Sequence, residues 1–248
     1  MKTIESDLKQ KIKALKENPY FDGLEEAILR DLAGHTRLSE FQRGDVMLWE
    51  GDVCEGLFIL YQGSAKIFRL SPQGRQYIVR ILQEGDTFAE VPAFDMGASP
   101  VNVEALETCR VWIIEKNKLQ ELLKQHPAFA QKVLVNFGKM LRGMVRMVSE
   151  MAFYQVTHRL ARLIDVELHQ DKSAHWTQEQ LAARLGTVRE VVARSLKEME
   201  RSGAIKMEDR QIQIVNREIF EQWVQPNSRA FLKSVKCPKK RASDTEST

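Results

Sequence analysis

Arg189, Glu190 and Arg194 are the side chains whose types and spacing best suit chemistry on a partner. An arginine offers a planar fork that matches guanine O6 and N7, and a carboxylate can accept from cytosine N4. Those groups reach base edges only if their helix enters the major groove. Thr177, Gln178 and Thr187 flank the trio and are further candidate DNA contacts. Charges on an exposed helix are more often merely solvated; here the place of the three, directly after a turn, points to reading.

The elements around them supply that placement. Thr177 or its neighbour is the N-cap for a helix whose apolar face is Leu181, Ala182 and Leu185, and Gly186 provides the turn. A second helix, Val188 to Glu200, buries Val191, Val192, Leu196 and Met199. After Gly203 come two strand-like runs, Ile205 to Met207 and Gln211 to Val215, joined by Glu208-Asp209-Arg210. Helix, turn, helix and hairpin make a winged helix-turn-helix.

Upstream, short apolar runs are punctuated by Gly44-Asp45, Gly51-Asp52, Gly56, Gly63, Gly74 and Gly85-Asp86. Between them stand VMLWE, GLFILY, SAKIFRL, QYIVRIL and CRVWIIE, which predicts an antiparallel sandwich or barrel from Phe41 to Ile114. Helical periodicity over Ser6 to Lys16 and Leu24 to Ala33 predicts a small cap before it.

From Lys118 to Leu168 the period is helical, and Pro127 suits the first turn of a long helix. Val133, Phe137, Met140, Met144, Met147, Met151 and Tyr154 step by fours and threes, a 3.5-residue seam. A second apolar line, Leu134, Leu141, Val145, Val148 and Ala152, runs beside it. One stripe packs on the protein's own β domain and the other on a twin helix, so a homodimer is expected, with the Val133 to Tyr154 seam as its interface.

The bulk composition bounds the function. The 248 residues are 43% apolar, enough for two modest domains, and 37 basic against 34 acidic residues leave a net charge of only +3. DNA contact must therefore come from local placement of cations. Cys54, Cys109 and Cys237 are too scattered for a disulfide framework or a metal knuckle, and no signal segment or membrane span is evident, which points to the cytoplasm and no membrane partner. There is no P-loop, nucleophile elbow, H-E-x-x-H or dinucleotide fingerprint, so an enzyme is not expected.

The segment TQEQLAARLGTVREVVARSLKEMERSGAI resembles the DNA-binding part of the Crp/Fnr superfamily, and GDVMLWEGDVCEGLFILYQGSAKIFRLSPQGRQYIVRILQEGDTFAE resembles its ligand-sensing β-roll. The resemblance implies an α+β chain: a jelly-roll-like β-roll of the cyclic-nucleotide-binding-domain fold, a long dimerisation helix and a winged helix-turn-helix. It also implies a palindromic operator with TGTGA-like half-sites read by Arg189, Glu190 and Arg194, and RNA polymerase as a partner. The expected domains are 1–125, 126–168 and 169–228, followed by a disordered tail, 229–248, with Lys233, Lys236, Lys239, Lys240 and Arg241.

The implied effector pocket comprises Phe88, Ala89, Glu90, Val91, Ser99, Pro100, Val101 and Met144. Members that bind cyclic nucleotides carry Gly-Glu-Leu and an Arg-Ser pair that grips the phosphate. This chain reads Ala89-Glu90-Val91 and Ser99-Pro100, so a cyclic phosphate would lack its cation, which argues against cyclic AMP. The run KIFRLSPQGRQYIVRILQEGDTFAE looks most like the nitric-oxide-responsive branch, some of whose members bind haem. Met144, Met147, Met151, Phe88 and Phe94 are the candidates to line a haem pocket, and His35, His126 and His158 are ligands by type alone. An iron–sulfur cluster is not expected, because its thiolates would have to lie near the N-terminus and the first cysteine is Cys54. The alternatives are an effector-independent activator set by abundance and a thiol switch through Cys54 and Cys109.

Overall fold

The computed structural model describes residues 2–169, 176–208 and 211–225. The basic tail, Cys237, the His169 to His175 stretch and the hairpin tip at 209–210 lie outside those described residues, apart from the backbone of His169. Two compact units emerge: the first runs to Phe153 and takes in Ala182–Val188, and the second comprises Tyr154–Leu181 and the chain from Arg189 onward.

The first unit opens with β1 (Lys2–Ile4), α1 (Leu8–Lys16), α2 (Glu26–Gly34) and β2 (Thr36–Phe41). Then follow β3 (Val46–Leu48), β4 (Gly56–Gln62), β5 (Ala65–Leu70), β6 (Gln76–Leu82), β7 (Thr87–Phe88), α3 (Glu90–Asp95), β8 (Asn102–Ala105) and β9 (Cys109–Glu115). All pairings are antiparallel and form two sheets, ordered β1-β2-β9-β4-β7 and β3-β8-β5-β6. The expected β-roll is therefore present, with β1, β2, β7 and β8 added to the strands that the apolar runs mark.

Glycine spacing has two separate causes. Gly44, Gly51, Gly63, Gly74 and Gly85 all have positive φ, which a side chain resists. Gly56 does not; a Cβ there would lie 1.8 Å from the Ile114 carbonyl oxygen, so it is kept for close approach of β4 to β9.

Two apolar clusters fill this unit. One lies between the sheets and includes Phe41, Leu60, Leu82, Phe88, Val103 and Val111. The other joins the helices to the outer face of the five-stranded sheet through Phe21, Leu29, Leu32, Trp112, Leu119, Phe129 and Val133. A buried bond from Asn18 Nδ2 to Thr87 Oγ1, 2.8 Å long, ties the helical cap to β7.

The helical region comprises three helices: α4 (Lys116–Gln125), α5 (Pro127–Phe153) and α6 (Val156–His169). Pro127 is the first residue of α5, where its missing N–H costs nothing. The expected seam is interrupted at Tyr154, which is outside both helices and lies under the Arg162 guanidinium at 3.8 Å in the second unit.

The second unit contains α6, part of α7 (Gln178–Leu185), α8 (Arg189–Arg201), β10 (Ile205–Glu208), β11 (Gln211–Ile214) and α9 (Arg217–Val224). It starts earlier than the expected boundary at residue 169, because α6 packs against α8 and α9. Arg162 Nε and His158 Nδ1 meet the Val224 and Trp223 carbonyls at 2.8 and 3.0 Å, and Thr157 Oγ1 meets Ser195 Oγ at 3.0 Å. The first two bonds tie α6 to the end of α9, and the third ties it to the inner side of α8.

Candidate nucleic-acid interface and effector site

The start of α7 is a reciprocal cap. Thr177 Oγ1 accepts from Gln180 N–H at 3.2 Å, and Gln180 Oε1 accepts from Thr177 N–H at 2.8 Å. Thr177 is thus engaged in holding the helix end, and Gln178 is its first residue. Gly186 follows with φ 64°, and Thr187 N–H bonds back to the Ala182 carbonyl at 3.0 Å. That backbone turn ends α7 shortly before α8 begins.

Helix α8 separates its faces sharply. Val192, Ser195, Leu196 and Met199 are buried, whereas Arg189, Glu190, Arg194, Lys197, Glu198 and Arg201 are exposed. Glu190, Ala193, Arg194, Lys197, Glu198 and Arg201 line one open groove. The three expected base readers stand on that outward surface. Lys197 and Arg201 join them there; sequence reasoning misses both, although they continue the Glu190 and Arg194 face at helical spacing. Cations at that distance along a helix suit phosphate oxygens, which position rather than specify.

Two family models match the chain, the cyclic nucleotide-binding domain over residues 38–126 and the Crp-like helix-turn-helix domain over residues 156–223. The cAMP-activated global transcriptional regulator Vfr of Pseudomonas aeruginosa is 30% identical over 189 residues, 71% of this chain and 88% of that protein. This chain belongs to the Crp/Fnr family of transcription regulators.

A CRP-like cAMP-activated global transcriptional regulator of Mycobacterium tuberculosis is 25% identical over 80% of this chain and 92% of its own. Among solved structures, a Crp/Fnr transcriptional regulator from Eubacterium rectale shares the fold with a TM-score of 0.72, covering 84% of this chain and 99% of that one at 19% identity. The Crp/Fnr chain is accordingly a DNA-binding regulator with an effector-binding domain, and its relatives are transcriptional regulators.

The expected effector-pocket residues cluster in sequence around α3. Ala89 enters that helix in the left-handed conformation, φ 62°, unusual for a residue with a Cβ. Glu90 and Val91 follow, half-buried, while Phe88 is fully buried between the sheets, 5.0 Å from Phe58 ring to ring. Ser99 is buried, and its hydroxyl donates to the Val101 carbonyl at 2.7 Å, whereas Pro100 is exposed. Ser99, expected from the resemblance to replace a phosphate arginine, is thus bonded within its own loop.

Burial of the Glu90 carboxyl raises its pKa to about 7, opposed weakly by its own backbone N–H and by Arg80, which is paired with Asp86. The unfolded chain gives up that proton near the ordinary 4.5, but the folded chain holds it to about 7. Between those values the folded state binds more protons, so stability falls as pH rises through the window, by about 3 kcal/mol in all. Glu90→Gln is expected to flatten the urea-unfolding free energy between pH 5 and pH 7. A variant that keeps the wild-type slope would refute the assignment to Glu90.

Several expected site residues are not brought together. Phe88 belongs to the inter-sheet cluster, but Phe94 packs on Tyr20, Phe129 and Phe137, with centroids 5.5 to 6.2 Å apart, in the other cluster. They flank Ala89 on opposite sides of its sharp turn, so they do not line one cavity. Met144 and Met151 are exposed, and Met147 accepts from Tyr77 Oη at 3.2 Å. His35 bonds Glu115 at 3.1 Å, His126 caps α4, and His158 bonds the Trp223 carbonyl at 3.0 Å within the second unit. The expected haem-lining and ligand candidates are therefore not gathered into one pocket among the described residues.

The thiol alternative fails on geometry. Cys54 and Cys109 are buried at opposite ends of the β4–β9 ladder, where Gly56 pairs with Glu115 and Gln62 with Arg110. Six residues of strand separate those ends by about 20 Å, far beyond disulfide reach. Burial also pushes both thiols up, and their sulfurs donate to the Gly56 and Ser64 carbonyls. Buried, protonated thiols of this kind are inert packing.

The expected dimer seam is split: Val133 is 6% exposed and Phe137 is partly buried, both in the protomer's own core, whereas Met144 and Met151 are exposed. The neighbouring line is the open one, with Leu134 72%, Leu141 63%, Val145 59% and Val148 62% exposed. No helix among the described residues is long and apolar enough to cross a membrane, so this stripe is not a bilayer span.

Proposed function

We propose that the protein works as a homodimer on a two-fold symmetric operator, with an effector other than cyclic AMP acting at the β-roll. The observation that carries the reading is the pairing of an outward α8 face with an unpartnered apolar stripe on α5. Leu134, Leu141 and Val148 are seven apart, with Gly138, Val145 and Ala152 between them at the alternate seam positions. A second copy of the same stripe is its natural complement, since a two-fold interface is self-complementary. Two recognition helices then face two half-sites one helical turn apart.

Arg189 and Arg194 serve as guanine readers and Glu190 as a cytosine reader, so TGTGA-like half-sites are in keeping with the trio. Effector binding biases the arrangement of the paired α5 helices and through them the separation of the α8 pair, with RNA polymerase as the downstream partner. Such coupling needs an effector that prefers one arrangement. Ser99 in place of a cation supports a ligand that is not a cyclic phosphate, although cAMP-activated regulators are among the relatives.

Selection from random duplexes with the full chain tests the reading. The enriched sequence is expected to be an inverted repeat with half-site centres about 10 base pairs apart. Enrichment of a motif without two-fold symmetry would overturn it.

A further inference from the structure

Thr157 on α6 and Ser195 on α8 are polar side chains buried inside the second unit, 8% and 3% exposed. Their hydroxyl oxygens lie 3.0 Å apart, and Thr157 Oγ1 also donates to Glu198 Oε2 at 3.3 Å. A hydroxyl has a single proton, so with Thr157 donating to the carboxylate, Ser195 must be the donor to Thr157. The bonds therefore run one way, from Ser195 through Thr157 to Glu198, and each polarises the next. Two buried hydroxyls bonded to each other gain little over apolar side chains of the same shape. The pair calls for a reason beyond packing.

Glu198 supplies it. Its side chain lines the outward α8 groove, four residues after Arg194 and three before Arg201. Those are the spacings at which a carboxylate and a guanidinium pair on a helix surface. Among the described residues Glu198 pairs with neither arginine. Arg194 can offer its fork to guanine only while no carboxylate holds it. Glu190, four residues before Arg194, is committed to cytosine in the proposed reading, which leaves Glu198 as the competitor.

We infer that Thr157, backed by Ser195, is a positioning residue that draws the Glu198 carboxylate to the α6 side of the groove and keeps Arg194 free to read its base. The inference rests on the proposed DNA reading and adds to it the residues that keep one reader available.

The experiment measures binding of full-length variants to the operator obtained by selection, over a salt series. Thr157→Val removes the donor, and affinity is expected to fall about two- to fivefold, one helix-surface ion pair having to break in each of two copies. The deficit should shrink as salt rises, because an exposed ion pair is screened, whereas a packing fault would persist. Thr157→Ser keeps the hydroxyl and should bind as the wild type. In a Glu198→Gln background Thr157→Val should have no effect, since an amide has no charge with which to hold Arg194. Should the valine variant fail to fold, Glu198→Asp carries the test: aspartate keeps the charge within reach of Arg194 but is too short for Thr157, so it should weaken binding where Glu198→Gln does not. Equal losses from Thr157→Val in both backgrounds, or wild-type affinity in both Thr157→Val and Glu198→Asp, overturn the proposal while leaving the operator reading intact. Failure to enrich any sequence would instead remove the DNA reading on which it rests.

Discussion

Val145→Glu is expected to convert a dimer into a folded monomer and to lower operator affinity by about 100-fold or more. In the protomer Val145 is 59% exposed and belongs to neither core cluster, so glutamate there disturbs no packing and is a good helix former. In a dimer built on the Leu134, Leu141, Val145 and Val148 stripe, the same change acts twice across the axis. Each partner loses the burial of a valine, worth about 1.5–3 kcal/mol. Two carboxylates would then be desolvated close together with no cation between them, at several kcal/mol more. Loss of the second half-site removes an avidity factor of about 10² to 10⁴. Sedimentation velocity at micromolar concentration is expected to show a single 28.6 kDa species with an unchanged circular dichroism spectrum. A variant that remains dimeric would place the interface elsewhere.

A matched change on the other stripe sharpens that test. Val133 and Phe137 contribute to the core that also holds Phe129 and Leu122, so Val133→Glu should unfold the first unit instead of dissociating it. Sequence periodicity yields the two stripes and their phase along α5. It does not say which one meets the β domain, because both are equally apolar and the distinction is made by Phe21, Phe94 and Leu122, which are distant in sequence.

Much of the fold is legible for local reasons. Turn glycines with positive φ space the strands, and Thr177, Gln180 and Gly186 mark both ends of α7. What escapes has weaker local signals. β2, with Arg37, Ser39 and Glu40 in its run, lacks the continuous apolar run of β4, yet its pairing makes it an inner strand between β1 and β9. The break at Tyr154 carries no proline or glycine; it arises where the second unit takes hold of the tyrosine ring. Helix α9 does have a start signal, since Asn216 accepts from Ile219 N–H at 3.1 Å as an N-cap, but its eight residues are too few to show a helical period clearly.

The site divides in the same way. Arg189, Glu190 and Arg194 are legible because one helix positions all three, so spacing alone carries the geometry. Around α3 the chain reverses at Ala89, and residues six apart enter different clusters. Proximity in sequence there is a poor guide to proximity in space, so Phe88 and Phe94 look like neighbours in one pocket and are not. The substitution at Ser99 is legible, and the structure adds that its hydroxyl is already bonded to the Val101 carbonyl.

Arg189→Ala is expected to cost about 1–3 kcal/mol per half-site in specific binding and to relax selection at one guanine. Because a dimer brings two copies, affinity for a symmetric operator should fall by the square of the single-site factor, at least about 30-fold and about 10²-fold or more if each half-site loses 1.4 kcal/mol. The residue is exposed at the first position of α8 and makes no contribution to either core, so the drop in affinity is not expected to reflect unfolding. Arg189→Lys separates charge from shape: the ammonium keeps the electrostatic attraction but lacks the fork that spans O6 and N7. It should therefore restore non-specific binding without restoring the guanine. Lys197→Ala supplies the opposite pattern, weakening all sequences alike and reducing the salt slope by about one unit for each phosphate no longer neutralised. If Arg189→Ala and Lys197→Ala gave the same sequence-independent weakening, α8 would be a phosphate-binding helix, and base recognition would have to come from another part of the second unit.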